Sequence, residues 1–206
     1  MKITRTANAG VLIESRGQRI LFDGVCEKLP PYEETPLSIR EELTENPPDI
    51  VVFTHRHKDH FDSCYAQKYE EKTLRPVSVA ECPHERAAGG VKITAVPTRH
   101  IGKNDVPHCS YVIEGDICVW FSGDASPTEW KKHDSLPKPD VLIVPYAYTI
   151  TKSGWQAAKD TGAEKIVLLH MPQKALDEYS LWQTMEEITR GDSSLIIPDI
   201  GSTLCF

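Results

Sequence analysis

Short apolar runs separated by polar turns recur along the chain. The first three, KITRTA, GVLIES and QRILFD, read as β-strands, and the SRGQ stretch between the last two reads as a hairpin turn. Residues 26–48, CEKLPPYEETPLSIREELTENPP, interrupt the pattern with five prolines and many acids. They predict a long surface excursion with a short helix near Ile39–Leu43, and loops of this length commonly serve as lids. DIVVF is continuously apolar rather than alternating, which predicts a strand covered on both faces. A helix is expected from about Asp59 or Asp62 to Glu71. VSVA, VKITAVP, SYVIEG and ICVWFSG read as further strands, the last two joined at Gly115-Asp116. The remainder alternates: strand DVLIVPY, helix around Gly154–Thr161, strand KIVLLH, helix around Tyr179–Arg190, strand SLIIP. Hairpins followed by strand-helix alternation predict a mixed α/β fold.

The two halves echo each other. PDIVVFTH (48–55) resembles PDVLIVPY (139–146), and GQRILFD (17–23) resembles GDICVWFSGD (115–124). In each half a hairpin ending in Asp precedes a buried strand led by Pro-Asp, which predicts two similar sheets faced by helices. The echo puts Asp23 and Asp124 at equivalent strand ends, and likewise His55 and Tyr146. Strand C-terminal ends are where open α/β sheets hold ligands.

A chain of 206 residues can bury a substantial core and is expected to form a single domain, 1–206. With 23 basic against 30 acidic residues, a nucleic-acid partner is disfavoured. The first residues lack the apolar region of a signal peptide, and no stretch approaches a membrane span; a cytoplasmic location with no membrane partner is the expectation. Six scattered cysteines form no C-x-x-C pair, so zinc-ribbon and thioredoxin readings fail and reduced thiols are expected.

Three of the eight histidines crowd into VVFTHRHKDH (51–60). In an extended segment residues two apart point to the same side, so His55 and His57 can converge on one ion. A turn into the following helix brings Asp59 and His60 to a neighbouring point. Imidazoles with a carboxylate suit zinc, iron or manganese. At the chain's own frequencies this spacing would arise by chance in roughly one such sequence per thousand.

His55-x-His57-x-Asp59-His60 behind a buried strand resembles the hallmark of the metallo-β-lactamase-fold hydrolases. Later signals follow in that family's order: AVPTRH supplies His100, FSGD supplies Asp124, VLLHM supplies His170, and LFDG places an early aspartate, Asp23. The resemblance implies a four-layer αβ/βα sandwich of two mixed β-sheets with two metals at its edge. One metal would take His55, His57 and His100, the other Asp59, His60 and His170. Asp124 would bridge them opposite a bridging hydroxide, and Asp59 would double as ligand and proton acceptor. Zinc is the first expectation, with manganese or iron as alternatives. His100 is preferred to His108 as ligand because it ends its strand; His108 is expected to touch substrate or support a ligand. Asp23 is expected to orient a ligand histidine. His84 and His133 lie in polar segments and read as surface residues.

The function implied is metal-dependent hydrolysis of a lactone, ester, amide or phosphodiester in a small substrate. In style the chain most resembles the subgroup of ascorbate-6-phosphate lactonase and N-acylphosphatidylethanolamine phospholipase D. Two other readings stand beside it: a mononuclear-iron oxidoreductase of the same fold, similar to persulfide dioxygenases, and a metal-binding module without turnover. Tyr146 and Tyr148, in PYAYTI, are candidates for the substrate wall, with ordinary packing as the alternative. Oligomeric state is not legible.

Overall fold

The computed structural model describes residues 1–76, 78, 85–102, 105–133 and 135–206. Its first half runs β1 (Lys2–Arg5), β2 (Val11–Ser15), β3 (Gln18–Phe22), α1 (Leu37–Glu45), β4 (Ile50–Val52), α2 (Ser63–Lys68) and β5 (Thr73–Leu74). The second half runs β6 (Arg86–Ala88), β7 (Val91–Pro97), β8 (Cys109–Glu114), β9 (Cys118–Phe121), β10 (Val141–Pro145), α3 (Lys152–Asp160), β11 (Lys165–Leu169), α4 (Leu181–Arg190) and β12 (Leu195–Ile196). A last strand, β13 (Thr203–Cys205), returns to the first sheet and pairs antiparallel with β1. Of the expected strand VSVA only Ser78 lies within the described residues.

The sheet orders are β13-β1-β2-β3-β4-β5 and β12-β11-β10-β9-β8-β7-β6. Each contains the same succession: two antiparallel pairings, then two parallel ones, in β1-β2-β3-β4-β5 and in β7-β8-β9-β10-β11. The internal echo of the sequence is thus a repeat of topology. Its register needs one correction. Phe22 pairs with Val52 as Phe121 pairs with Ile143, so the counterpart of Asp23 is Ser122, not Asp124. Gly123, at φ 52, takes the left-handed turn that carries Asp124 two residues further on. His55 and Tyr146 do hold equivalent positions.

Period-2 alternation explains why the strands are apolar on both faces. Val11, Ile13, Ile20, Phe22, Ile50 and Val52 meet Tyr111, Ile113, Phe121, Ile143 and Val167 between the sheets. Their neighbours Leu12, Leu21 and Val51 face outward onto Leu43 of α1 and Tyr65 of α2. On the other side Val112, Leu142, Val144, Ile166 and Leu168 face Ala158 of α3 and Met185 of α4. The layers are helix, sheet, sheet, helix, as the resemblance implied.

Local signals fix the ends. The β2–β3 hairpin turns through Arg16 (φ 49) and Gly17 (φ 76), a left-handed pair suited to a two-residue hairpin. Asp62 caps α2 by accepting from the Tyr65 N–H at 2.9 Å, and it also pairs with Arg40 of α1 at 2.9 Å. Among the described residues no helix is long and apolar enough to cross a membrane. Cys109 is disulfide-bonded, against the expectation of reduced thiols throughout, whereas Cys26, Cys64, Cys118 and Cys205 are free.

Candidate metal centre

Polar residues gather where the C-terminal ends of β3, β4, β7, β9 and β11 meet. These ends carry Asp23, the Thr54–His60 loop, His100, Asp124 and His170 in turn. Two of the four described non-glycine residues with left-handed backbone, Asp23 (φ 45) and His170 (φ 65), lie here. Strain of that kind persists only where the surroundings over-determine it. At His170 the backbone N–H is held by the Asn8 carbonyl at 3.0 Å.

Among the described residues three groups of ligand atoms lie close enough to hold an ion: the two expected trios, and one joining Asp23, His55 and His60. The ring nitrogens of His55, His57 and His100 lie within 4.8 Å of one another, as do the ligand atoms of Asp59, His60 and His170. Asp124 stands between them: its Oδ2 is 3.7 Å from His100 Nε2, 3.4 Å from His60 Nε2 and 3.6 Å from His170 Nε2. For nitrogen ligands about 2.0–2.1 Å from an ion, a tetrahedral edge is about 3.3 Å, and the Asp124 spacings lie slightly above that length.

Hydrogen bonds behind the cluster decide which nitrogens face it. Asp23 accepts from the Thr54 N–H at 2.8 Å and from the Thr54 hydroxyl at 2.6 Å. With its proton so used, Thr54 Oγ1 can only accept from His55 Nδ1, at 2.9 Å. His55 Nε2 is therefore bare, 3.0 Å from His57 Nδ1. Burial, followed by the charge of neighbouring His60, holds the His55 ring well below the usual imidazole range, hence neutral. His60 Nδ1 donates to Asp23 at 2.8 Å, turning its Nε2 inward. His100 Nδ1 donates to the Ile101 carbonyl at 2.7 Å, which leaves Nε2, buried and without a hydrogen-bond partner, aimed at the centre.

Such a set calls for a cation. His60 Nε2 and His170 Nε2 face each other at 3.0 Å, with Asp59 Oδ2 3.0 Å from the latter. Lone pairs that close are repulsive unless a proton or metal ion sits among them. The carboxylates respond in kind. Burial pushes Asp124 up, but the charges of His170 and His60 outweigh it and hold the group well below the usual carboxylate range. Asp59 is likewise lowered, its burial opposed by the His170 bond and the His60 charge. Burial opposes charge on His60, yet Asp124 and Asp23 raise it well above the imidazole range. The orphaned His100 Nε2, the close-set ring nitrogens of His60 and His170, and two ionised acids together fit divalent metal.

His108 sits apart from the role of substrate contact. It is 4% exposed, and both ring nitrogens are engaged behind Asp124. Nε2 accepts from the Asp124 N–H at 3.1 Å, so Nδ1 carries the proton and donates to Thr98 Oγ1 at 2.8 Å. Thr98 continues to Ser110 at 3.0 Å, and Ser110 donates to the Ser122 carbonyl at 2.8 Å. The relay begins and ends on the Ser122–Asp124 turn and fixes it from both sides.

Tyr148 also departs from a substrate role: it is fully buried and donates to the Ala125 carbonyl at 2.8 Å. Tyr146 is half-buried and lines one cavity with Tyr32, a residue the sequence reading passed over. The Tyr32 ring meets that of His170 edge-on, centroids 4.2 Å apart. Its only sequence signal was the aromatic in PPY within the Pro-rich excursion. His133 is half-buried outside the cluster, and His84 lies outside the described residues.

Comparisons with known proteins agree with this geometry. A family model described as the beta-lactamase superfamily domain matches residues 2–163. A protein of Methanoregula boonei named UPF0173 metal-dependent hydrolase is 25% identical over 173 residues, covering 72% of this chain and 74% of its own. The structure of isothiocyanate hydrolase from Delia radicum gut bacteria superposes with a TM-score of 0.70 at 17% identity, over 100% of this chain and 99% of that one. CmlA, a diiron beta-hydroxylase from Streptomyces venezuelae, superposes with a TM-score of 0.68 at 13% identity, over 100% of this chain but 54% of that one. At such identities the structural neighbours share the fold, whatever their reactions. The family model spans most of the chain, including six of the seven clustered residues, and on that ground the chain belongs to the beta-lactamase superfamily.

Proposed function

We propose that this protein is a dinuclear metal-dependent hydrolase acting on a lactone, ester, amide or phosphodiester of a small substrate. The observation that carries the reading is Asp124 Oδ2, within 3.7 Å of histidines from both trios. A lone ion would need only one trio. His55, His57 and His100 would hold one ion and Asp59, His60 and His170 the other, with Asp124 shared; zinc is the first expectation. Bound divalent metal supplies Lewis acidity and lowers the pKa of water towards about 7.

The chain's own residues would do the rest. Asp59, only 5% exposed and ionised, is placed to take a proton from an attacking water and pass it to the leaving group. Tyr146, beside the cluster, would hydrogen-bond a substrate oxygen. Asp23 and Thr54 hold His55 and His60 in the tautomers that face the centre. His108 acts on Asp124 from behind and touches no substrate.

The testing experiment combines elemental analysis with a hydrolysis panel of lactones, esters, amides and phosphodiesters. Expected are two first-row metals per chain and hydrolysis abolished by chelator and restored by metal. One iron per chain with dioxygen consumption and no hydrolysis would replace this reading with the oxidoreductase one.

A further inference from the structure

A cavity of about 460 Å³ adjoins the cluster on the side of His170. Its walls include Pro31, Tyr32, Tyr146, Leu176, Tyr179 and Leu181. Two of these, Tyr32 and Tyr146, are the aromatic pair beside the metal centre, and the Tyr32 ring rests on that of His170. The cavity and the cluster therefore share a wall. Its size falls within the roughly 300–1,000 Å³ of small-molecule sites.

Two observations specify its chemistry. Leu176 (43% exposed) and Tyr179 (81% exposed) are large side chains exposed at the rim. Apolar groups displayed together in this way mark a binding surface. Among the described lining residues the charged ones are Asp177 and Glu178, with no Lys or Arg. Asp177 is fixed by capping α4, accepting from the N–H groups of Leu181 at 2.9 Å and Trp182 at 2.8 Å. An anionic group would meet two carboxylates and no counter-charge.

We propose that this cavity takes the uncharged alkyl or aryl body of the substrate, whose scissile head reaches the metal centre past Tyr32 and Tyr146. Substrates whose body carries phosphate or carboxylate are selected against. The inference rests on the hydrolase reading for the head group and on the cavity alone for the body.

Two measurements test it separately. Metal-loaded protein is assayed on lactones with alkyl tails of increasing length and on the same lactones with a terminal carboxylate. The expected result is a kcat/KM rising about three- to fourfold per buried methylene, lost when the tail ends in a carboxylate. Leu176→Ser and Tyr179→Ser should flatten the dependence on tail length without altering metal content. Independently of turnover, octan-1-ol and 8-hydroxyoctanoate are titrated into the protein by NMR; octan-1-ol should shift Leu176 and Tyr179 and 8-hydroxyoctanoate should not. Hydrolysis without tail dependence, or equal binding of the two probes, overturns the cavity's assignment. No hydrolysis of any lactone, with octan-1-ol still bound at Leu176 and Tyr179, removes lactones from the hydrolase reading and supports the cavity.

Discussion

The Asp124 N–H donates to His108 Nε2 at 3.1 Å, so a residue of one loop fixes the backbone that carries the carboxylate standing between the two histidine groups. His108→Ala is expected to weaken metal affinity by about 10- to 100-fold, the usual cost of removing a group that orients a ligand. Gln, which can both accept and donate, should recover part of it. Competition against a chelator reads the affinity directly. Unchanged affinity in His108→Ala would mean that Gly123 and the neighbouring bonds suffice.

The same histidine sets a pH dependence of stability. Burial, relieved only in part by Asp124, pushes its pKa from the usual 6.5 down to about 3. Between those values the unfolded chain carries a proton that the folded protein does not. Stability should therefore fall as pH drops below about 6.5, and the loss is complete only near pH 3. One such proton is worth about 1.4 kcal/mol per pH unit. Replacing His108 by Gln should reduce the slope of unfolding free energy between pH 6 and 5 by that amount in metal-free protein. Denaturant titrations at the two pH values give the slope; equal slopes in the two proteins would rule the assignment out.

Asp23 is fully buried and accepts three hydrogen bonds, from the Thr54 N–H, the Thr54 hydroxyl and His60. Asp23→Asn substitutes a donor where three donors converge. The expected outcome is loss of metal from the His60 trio first, since His60 loses the acceptor that turns its Nε2 inward. Stoichiometry by elemental analysis should drop towards one per chain, with the His55 trio retained.

Tyr146 and Tyr148 lie two residues apart and should respond differently to Phe. Tyr148→Phe removes a buried bond to Ala125 and should cost about 1 kcal/mol of stability with kcat/KM unchanged. Tyr146→Phe should change kcat/KM by about tenfold with little effect on thermal stability. Identical kinetic behaviour in the two variants would remove Tyr146 from the substrate wall.

Legibility in the sequence followed the range of the determining interactions. DIVVF announced a strand covered on both faces because both neighbouring layers are apolar, and SRGQ announced its hairpin because the turn residues act locally. The ligand loop was readable because four candidate ligands sit in six positions. What escaped depends on distant partners. The strand Thr203–Cys205 is half exposed and exists by pairing with Lys2–Thr4, a contact without local signature. Asp124 seemed equivalent to Asp23 until the register at Phe121 put Ser122 there. The role of His108 is set by Thr98 and Ser110, and that of Tyr32 by the position of His170. The disulfide at Cys109 had no spacing signal.

His60 and His170, whose ring nitrogens lie 3.0 Å apart, are separated by 110 residues of chain. An ion gripped by both is a covalent-like staple between the two sheets as well as a reagent. A cross-link closing a loop of that size restrains the unfolded chain by about 4–5 kcal/mol in the chain-entropy picture, and a metal released on unfolding stabilises by mass action instead. Chelation should then lower the midpoint of thermal unfolding and hasten proteolysis, readable by calorimetry and by digestion with and without added metal. Metal supply would set how long the molecule survives, so that a starved copy is degraded rather than stored.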